Sequence, residues 1–478
     1  MTRSRPSSGV APVFSMLRKT LDALAAKQTT ATALTEQALE DVEACKRSFN
    51  AFSAIDWDRA LKAAAQSDRR YEENRPRLLE GLPVTIKDLI DTRGIETRYG
   101  SAAYVGHVPA VDADVVKVLV EQGAIIVGKT TTHEFAWGVT TASARFGDTL
   151  NPLDITRIPG GSSGGAAVAI ASGTVRAGVG TDTGGSVRIP AALCGVVGFK
   201  PTHGTIPTRG VFPLAPTCDH VGLLGKQVDD VAILAAAFGI DLPQSDAWIS
   251  ARLGVVREIA PVPLSQQVAA AFDNAIRRLE QIFACDQVDT SCLFDHVYEA
   301  FASIVLIEGG IVHFQRNDWD RITRHYSPET VERLRRAEAM DLRAYVSAQQ
   351  SRREFAARLH QAMSTVDYLV LPTCPCAAPH VGAGTLSIGD WSGTVREALM
   401  TYTAPFNVAG FPAISIPLPC GDSALPAALQ IVAKPGDDGA LLQIAQQMEL
   451  FLKGGTTPEE QIDVNTHGGS QSERQVER

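Results

Sequence analysis

The chain contains no uninterrupted apolar run of the roughly 18–20 residues that a membrane span needs. Met1–Val10 (MTRSRPSSGV) lacks the apolar stretch of a secretory signal. An excess of positive charge is missing too: 44 Lys plus Arg face 53 Asp plus Glu, for a formal charge of −9 and a pI near 5.6. That argues against a broad basic surface for a nucleic-acid backbone. Cysteine is sparse, with eight residues at 45, 194, 218, 285, 292, 374, 376 and 420. Thiols so scattered read as reduced groups in a cytoplasm, not as a disulfide framework. The ten His form no H-x-x-x-H and the Cys no C-x-x-C, and Cys374-Pro-Cys376 supplies too few ligands for zinc, so no metal is expected. No internal repeat of about 20–50 residues is visible. What is present is ordinary globular composition, 45% hydrophobic and 20% charged over 478 residues, enough for two or three domains or one large α/β domain. The 40 Gly are unexceptional in number but bunched.

Helical spacing dominates residues 12–72, through Leu17, Leu21 and Leu24, then Thr32–Val42 and Ala60–Tyr71. The texture then changes. Gly81–Ile86 is a short β-branched run, Asp114–Gln122 an amphipathic helix stopped by Gly123, and Ala124–Val127 a buried strand. Helix followed by apolar strand is α/β grammar. Residues 227–239 read as a helix, and 241–365 as a helical, charged cover on the substrate side, with one apolar stretch at Leu253–Val256. Strands are expected at Tyr368–Leu371, Ile414–Pro417 and Leu429–Val432, and a closing helix at Asp438–Leu452. The expected organisation is a flexible N-terminus over 1–10, a single domain over 11–453 and a loose tail over 454–478.

The dense region reads Pro159-Gly-Gly-Ser-Ser-Gly-Gly165, then Gly180-Thr-Asp-Thr-Gly-Gly-Ser186-Val-Arg-Ile-Pro190. A flexible linker is the bland reading, but a small apolar helix pattern follows at once. A Gly-rich turn feeding a helix offers free backbone N–H groups to an anion or a developing oxyanion. Phosphate-loop patterns fail: Gly178–Gly184 misses G-x-G-x-x-G by one residue, and no Lys completes the other motif. Gly160-Gly-Ser162-Ser-Gly164 matches a nucleophile elbow, yet residues 151–159 hold two prolines and make no central strand. A third reading has Ser186, in its own Gly-rich turn, working together with Ser162.

Thr181–Pro190, Gly160–Gly165 and Val84-Thr-Ile-Lys-Asp88 together resemble the amidase signature family, serine hydrolases that cleave amides through a Ser–cis-Ser–Lys triad. The resemblance extends through Val127-Gly-Lys129-Thr, Gly198-Phe-Lys-Pro-Thr202, Asp219-His220 and Phe406–Ile414, so that it covers about residues 80–450 and is weakest over 241–365. It implies an α/β fold with a large, mostly parallel mixed β-sheet wrapped by helices on both faces. Position by position it implies Lys87 as base, Ser162 as the cis serine and Ser186 as nucleophile. The backbone of Thr183, Gly184, Gly185 and Ser186 becomes the oxyanion hole.

The chemistry asks something specific of Lys87. A Ser hydroxyl needs a base, and Lys serves only when neutral, which requires burial, since its ordinary pKa is about 10.4. Val84, Ile86, Leu89 and Ile90 suit such burial. Ser162 can both donate and accept, and so can pass the proton from Ser186 to Lys87. Alone, each residue has an ordinary explanation: a surface Lys with Asp88 as ion-pair partner, turn serines, a helix N-cap at Ser186. Ser163, Asp182 and Arg188 are expected to support the loop, and Thr131, Phe135 and Trp137 to wall the substrate pocket. His133 and His220 are structural by default, with a pocket role open.

The expected function is hydrolysis of a small-molecule amide, carbamate (as in a urethanase) or urea derivative in the cytoplasm, with no cofactor. The alternatives are the glutaminase component of a tRNA-dependent amidotransferase, in which a partner would hold the RNA, and a non-catalytic binding protein on the same scaffold. The oligomeric state stays open, a homodimer included.

Overall fold

A computed structural model describes residues 16–454 apart from 246, 291 and 420–424. The expected N-terminal segment 1–10 and all but the first residue of the expected tail lie outside the described residues. Helices Met16–Ala25, Ala31–Phe49 and Trp57–Glu72 open the chain, with a short strand, β1 (Phe52–Ala54), inserted between the second and third. The remaining strands are β2 (Pro83–Lys87), β3 (Ile125–Thr130), β4 (Ala177–Asp182), β5 (Val197–Lys200), β6 (His220–Gly225), β7 (Arg252–Val255), β8 (Ala284–Gln287), β9 (Tyr368–Pro372), β10 (Thr385–Ile388), β11 (Trp391–Thr394), β12 (Ala413–Pro417) and β13 (Ala428–Val432). Eleven of them form one sheet in the order β1-β3-β2-β4-β6-β5-β12-β13-β9-β7-β8, and β10 and β11 form a separate hairpin.

The sheet is mixed, and its parallel pairings are confined to two flanks. They are β3–β2 and β2–β4 on one side, β9–β7 and β7–β8 on the other. From β4 through β6, β5, β12 and β13 to β9 the neighbours run antiparallel. Each parallel pair is separated in sequence by at least one helix, such as Asp114–Glu121 between β2 and β3. The segment 241–365 is not only a cover. Alongside helices Gln266–Leu279, Val297–Phe314, Trp319–His325, Pro328–Glu338 and Leu342–Ala362 it supplies the edge strands β7 and β8. β8 is largely exposed and carries no apolar alternation, so periodicity does not reveal it.

Strand alternation sets the site. Val84 and Ile86 of β2 and Ala177 and Val179 of β4 point into one apolar cluster. Thr85 and Lys87 alternate to the other face, where the register pairs Thr85 with Gly178. Helix Gly164–Ala171 packs beside β2 and β4, and its first seven residues are buried. Its small side chains let the two backbones approach: a Cβ at Gly180 would sit 2.7 Å from Ser163 Oγ. One correction concerns hydropathy. Helix Val297–Phe314 is long and apolar enough to cross a membrane, although Glu299, Glu308 and His313 interrupt it. Its Phe301 closes over Gly184 and its Gly309 over Trp137, so it packs on the body of the protein.

Candidate active site

Lys87 ends β2 with its side chain fully buried. Its Nζ lies 2.7 Å from Ser162 Oγ and 2.7 Å from Thr181 Oγ1, with no carboxylate in contact among the described residues. Burial pushes its pKa well below the usual lysine value, and the more distant Asp182 and Asp219 only partly oppose that. Burial thus favours the neutral form of this amine over the charged one. Asp88 is not its partner: it accepts from the Arg98 amide at 3.0 Å and interacts electrostatically with Lys129. Burial lifts Asp88 to about 6 and lowers Lys129 to about 8, each opposed by the charge of the other.

Ser162 sits in the turn before helix Gly164–Ala171, and its bond to Gly161 is cis. Thr141 Oγ1 donates to the Gly160 carbonyl at 2.8 Å and accepts from the Gly164 amide at 3.2 Å, which fixes that turn. Ser163 stitches the turns together. Its hydroxyl donates to the Thr181 carbonyl at 3.1 Å and accepts from the Thr181 amide at 3.2 Å, and its own amide donates to the Ser186 carbonyl at 3.1 Å. Residues distant in sequence thus meet at the ends of β2 and β4, and residues 151–157 form only isolated bridges, so no strand feeds Ser162.

The Ser186 loop is held by a buried ion pair. Asp182 accepts from the amides of Gly185 at 2.7 Å and Val187 at 3.2 Å, and from Arg188 Nε at 3.0 Å and Nη2 at 2.9 Å. Burial alone would raise this carboxyl, but the Arg188 charge and hydrogen bonds outweigh it and hold the pKa well below the ordinary range. Gly185 adopts φ +122°, a conformation that glycine tolerates, and a Cβ there would run into Thr403. Of the four amides expected to form an oxyanion hole, that of Gly185 donates to Asp182. The amides of Thr183, Gly184 and Ser186 donate to nothing among the described residues, and the Ser186 hydroxyl likewise makes no hydrogen bond there. Thr183 Oγ1 donates to Asp219 at 2.6 Å and anchors the other end of the turn.

This geometry can be set beside known proteins. The family model described as Amidase matches residues 33–442. The chain belongs to the amidase family. With it come the amidase-signature fold and enzymes acting on carbon–nitrogen bonds. Among curated relatives, the A-type component of glutamyl-tRNA(Gln) amidotransferase from Picosynechococcus sp. is 34% identical, covering 91% of this chain and 98% of that protein. A crystallised amidase is 32% identical over 91% of this chain and 99% of its own, with a TM-score of 0.83. The corresponding glutamyl-tRNA(Gln) amidotransferase component of Thermotoga maritima is 29% identical over 89% and 92%, with a TM-score of 0.72.

The three residues expected to wall the pocket take other positions in this chain. Phe135 and Trp137 are fully buried: Phe135 packs against Tyr326 and Phe212, and Trp137 stacks on His313. Thr131 bonds Thr149 and the Asn50 carbonyl. None of the three lines either of two cavities flanking the site. One, of about 340 Å³, touches Thr181, Thr183, Asp219 and His220. The other, of about 350 Å³, is lined by His133, Val139, Glu329, Arg333 and Arg396 among others. Both histidines with an open pocket role therefore border a cavity. Thr181, Phe301 and Met400 escape the sequence reading. Thr181 adjoins Asp182 in the quoted motif, but a Thr in a Gly-rich strand signals nothing alone. Phe301 and Met400 belong to helices whose packing over Gly184 only the fold reveals.

Proposed function

We propose that this amidase hydrolyses the C–N bond of a small-molecule amide, or of a related carbamate or urea, through an acyl-enzyme on Ser186. The observation that carries the reading is the fully buried Lys87 amine, held by two hydroxyls and, among the described residues, by no carboxylate. In this mechanism the Ser186 hydroxyl, without a hydrogen bond among the described residues at rest, turns to Ser162, and its proton passes through Ser162 to Lys87 as Oγ attacks the carbonyl carbon. The tetrahedral oxyanion is received by the amides of Thr183, Gly184 and Ser186, where one donor is worth about 2.7–4 kcal/mol. The proton returns to the leaving nitrogen, and water then cleaves the ester by the same relay. Phe301 and Met400, packed over Gly184, favour an apolar group beside the scissile carbonyl. No step requires a metal or an organic cofactor.

A second reading is the glutaminase role, supported by curated relatives that are A-type amidotransferase components at 30–34% identity. The curated relatives weigh toward it, whereas the higher TM-score with the crystallised amidase, 0.83 against 0.72, favours the first. One assay separates them. The isolated chain should release a chromogenic aniline from an anilide in a Ser186-dependent manner. An isolated chain idle on anilides but active on glutamine once partner proteins are supplied would replace the first reading by the second. A non-catalytic scaffold would neither turn over nor label with a fluorophosphonate.

A further inference from the structure

The cavity bordered by Arg396 is joined to the catalytic turns on two sides. Val139 lines it and abuts the Ser162 turn, since a Cβ at Gly161 would lie 2.9 Å from the Val139 carbonyl carbon. Arg396 lines it from helix Val395–Thr401, and Met400, four residues on and so on the same helix face, closes over Gly184. One helical turn, about 5.4 Å, thus separates the residue over the oxyanion turn from the residue in the cavity.

Arg333 and Arg396 share this cavity with Glu329, Asp148 and His133. Glu329 pairs with Arg333 and with His133, the latter at 3.3 Å, and the Arg396 charge acts on it from farther away without forming an ion pair. Asp148 accepts from the Ser143 amide at 3.0 Å. Arg396 is in no ion pair among the described residues; its Nη1 donates to the Trp137 carbonyl at 3.1 Å, and its side chain meets the Tyr298 phenol. Arg333 donates to that same carbonyl, so two guanidinium groups converge on one neutral oxygen. A planar fork with spare N–H donors at the edge of a cavity suits a carboxylate.

We propose that this cavity is a subsite for a carboxylate on the substrate, held by Arg396 with Arg333 behind it, on the helix whose Met400 covers the Gly184 turn. The substrate class is then the half-amides of short dicarboxylic acids: an apolar spacer against Phe301 and Met400, a distal carboxylate at Arg396. This assignment rests on the hydrolase reading for turnover but not for binding, and the two can be tested apart.

The test compares glutaric acid monoanilide with the neutral pentananilide. Binding to Ser186→Ala is measured by calorimetry, and aniline release by the wild type is measured separately. The carboxylate compound should bind at least about tenfold more tightly, and Arg396→Gln in the Ser186→Ala background should reduce that ratio to near one. Arg396→Lys should restore part of it, and in otherwise wild-type protein the ratio of kcat/KM values should follow the binding ratio. A bracing role confined to the Trp137 carbonyl would leave the charge ratio unmoved. Equal binding of the two anilides to Ser186→Ala, or a ratio unchanged in Arg396→Gln, overturns the subsite, and the first comparison needs no arginine variant to fold. Charge-selective binding without aniline release would keep the subsite and sink the hydrolase reading instead.

Discussion

Replacing Arg188 by Met tests how much of the active loop depends on one buried cation. All five guanidinium N–H donors are used. Nε and Nη2 reach Asp182, Nη1 reaches the Thr403 carbonyl at 3.0 Å and Gln430 Oε1 at 2.6 Å, and Nη2 reaches Asn407 Oδ1 at 2.6 Å. Methionine fills much of the volume and supplies none of the donors. It leaves Asp182 buried, charged and short of its counter-ion, a defect that costs about 3–5 kcal/mol. At about 2.1 cal/mol/K per residue, the 478-residue chain unfolds with roughly 1 kcal/mol/K of entropy, so the loss corresponds to a fall of about 3–5 °C in Tm. Because Asp182 also holds the Gly185 amide, the rate of fluorophosphonate attachment to Ser186 should fall at temperatures where the fold persists. Asp182→Asn combined with Arg188→Met should cost less than the two single changes added, since the orphaned charge is gone. Calorimetric melts and labelling rates read both effects. A Tm within about 1 °C of wild type, with labelling unchanged, would refute the anchoring role.

Three further outcomes are expected. Ser186→Ala should reduce anilide turnover to background with an unaltered melt; near-normal activity would remove Ser186 from the nucleophile role. Lys87→Met should abolish activity yet raise Tm at neutral pH. The native lysine has a depressed pKa, so the unfolded chain binds a proton the native one lacks, and the gain should shrink as pH climbs toward the ordinary value of about 10.5. Gly184→Ala should place a methyl group against Phe301 and Met400 and raise KM more than it lowers stability, as substrate titrations beside melts would show.

That Lys87 meets Ser162 beside the Ser186 turn is legible in the sequence, because three distant segments each carry a polar residue in a Gly-rich or β-branched context. The strands at Tyr368–Pro372, Ala413–Pro417 and Ala428–Val432 are legible as apolar runs, and the closing helix Asp438–Leu452 has the boundaries its pattern indicates. Other features leave no local trace. β1 is three residues between two helices, and β8 is exposed and polar. β4 reads Ala-Gly-Val-Gly-Thr-Asp, whose glycines serve packing against Thr85 and Ser163, not turns. Phe135 and Trp137 read as substrate-facing because aromatic residues follow the β3 strand. An aromatic side chain suits a core equally well, and here the cover helices bury them. That Asp182 occupies the Gly185 amide depends on how a loop folds back on its own carboxylate, which residue spacing does not express.

The pH dependence of Ser186 phosphonylation, with the modified peptide identified by mass, reads the state of the Lys87 amine most directly. A dehydrated lysine predicts a second-order rate that is already full well below pH 10, falls only on further acidification, and collapses in Lys87→Ala. A wild-type rate that instead climbs steadily toward pH 10.5, as for an amine in water, would contradict the account.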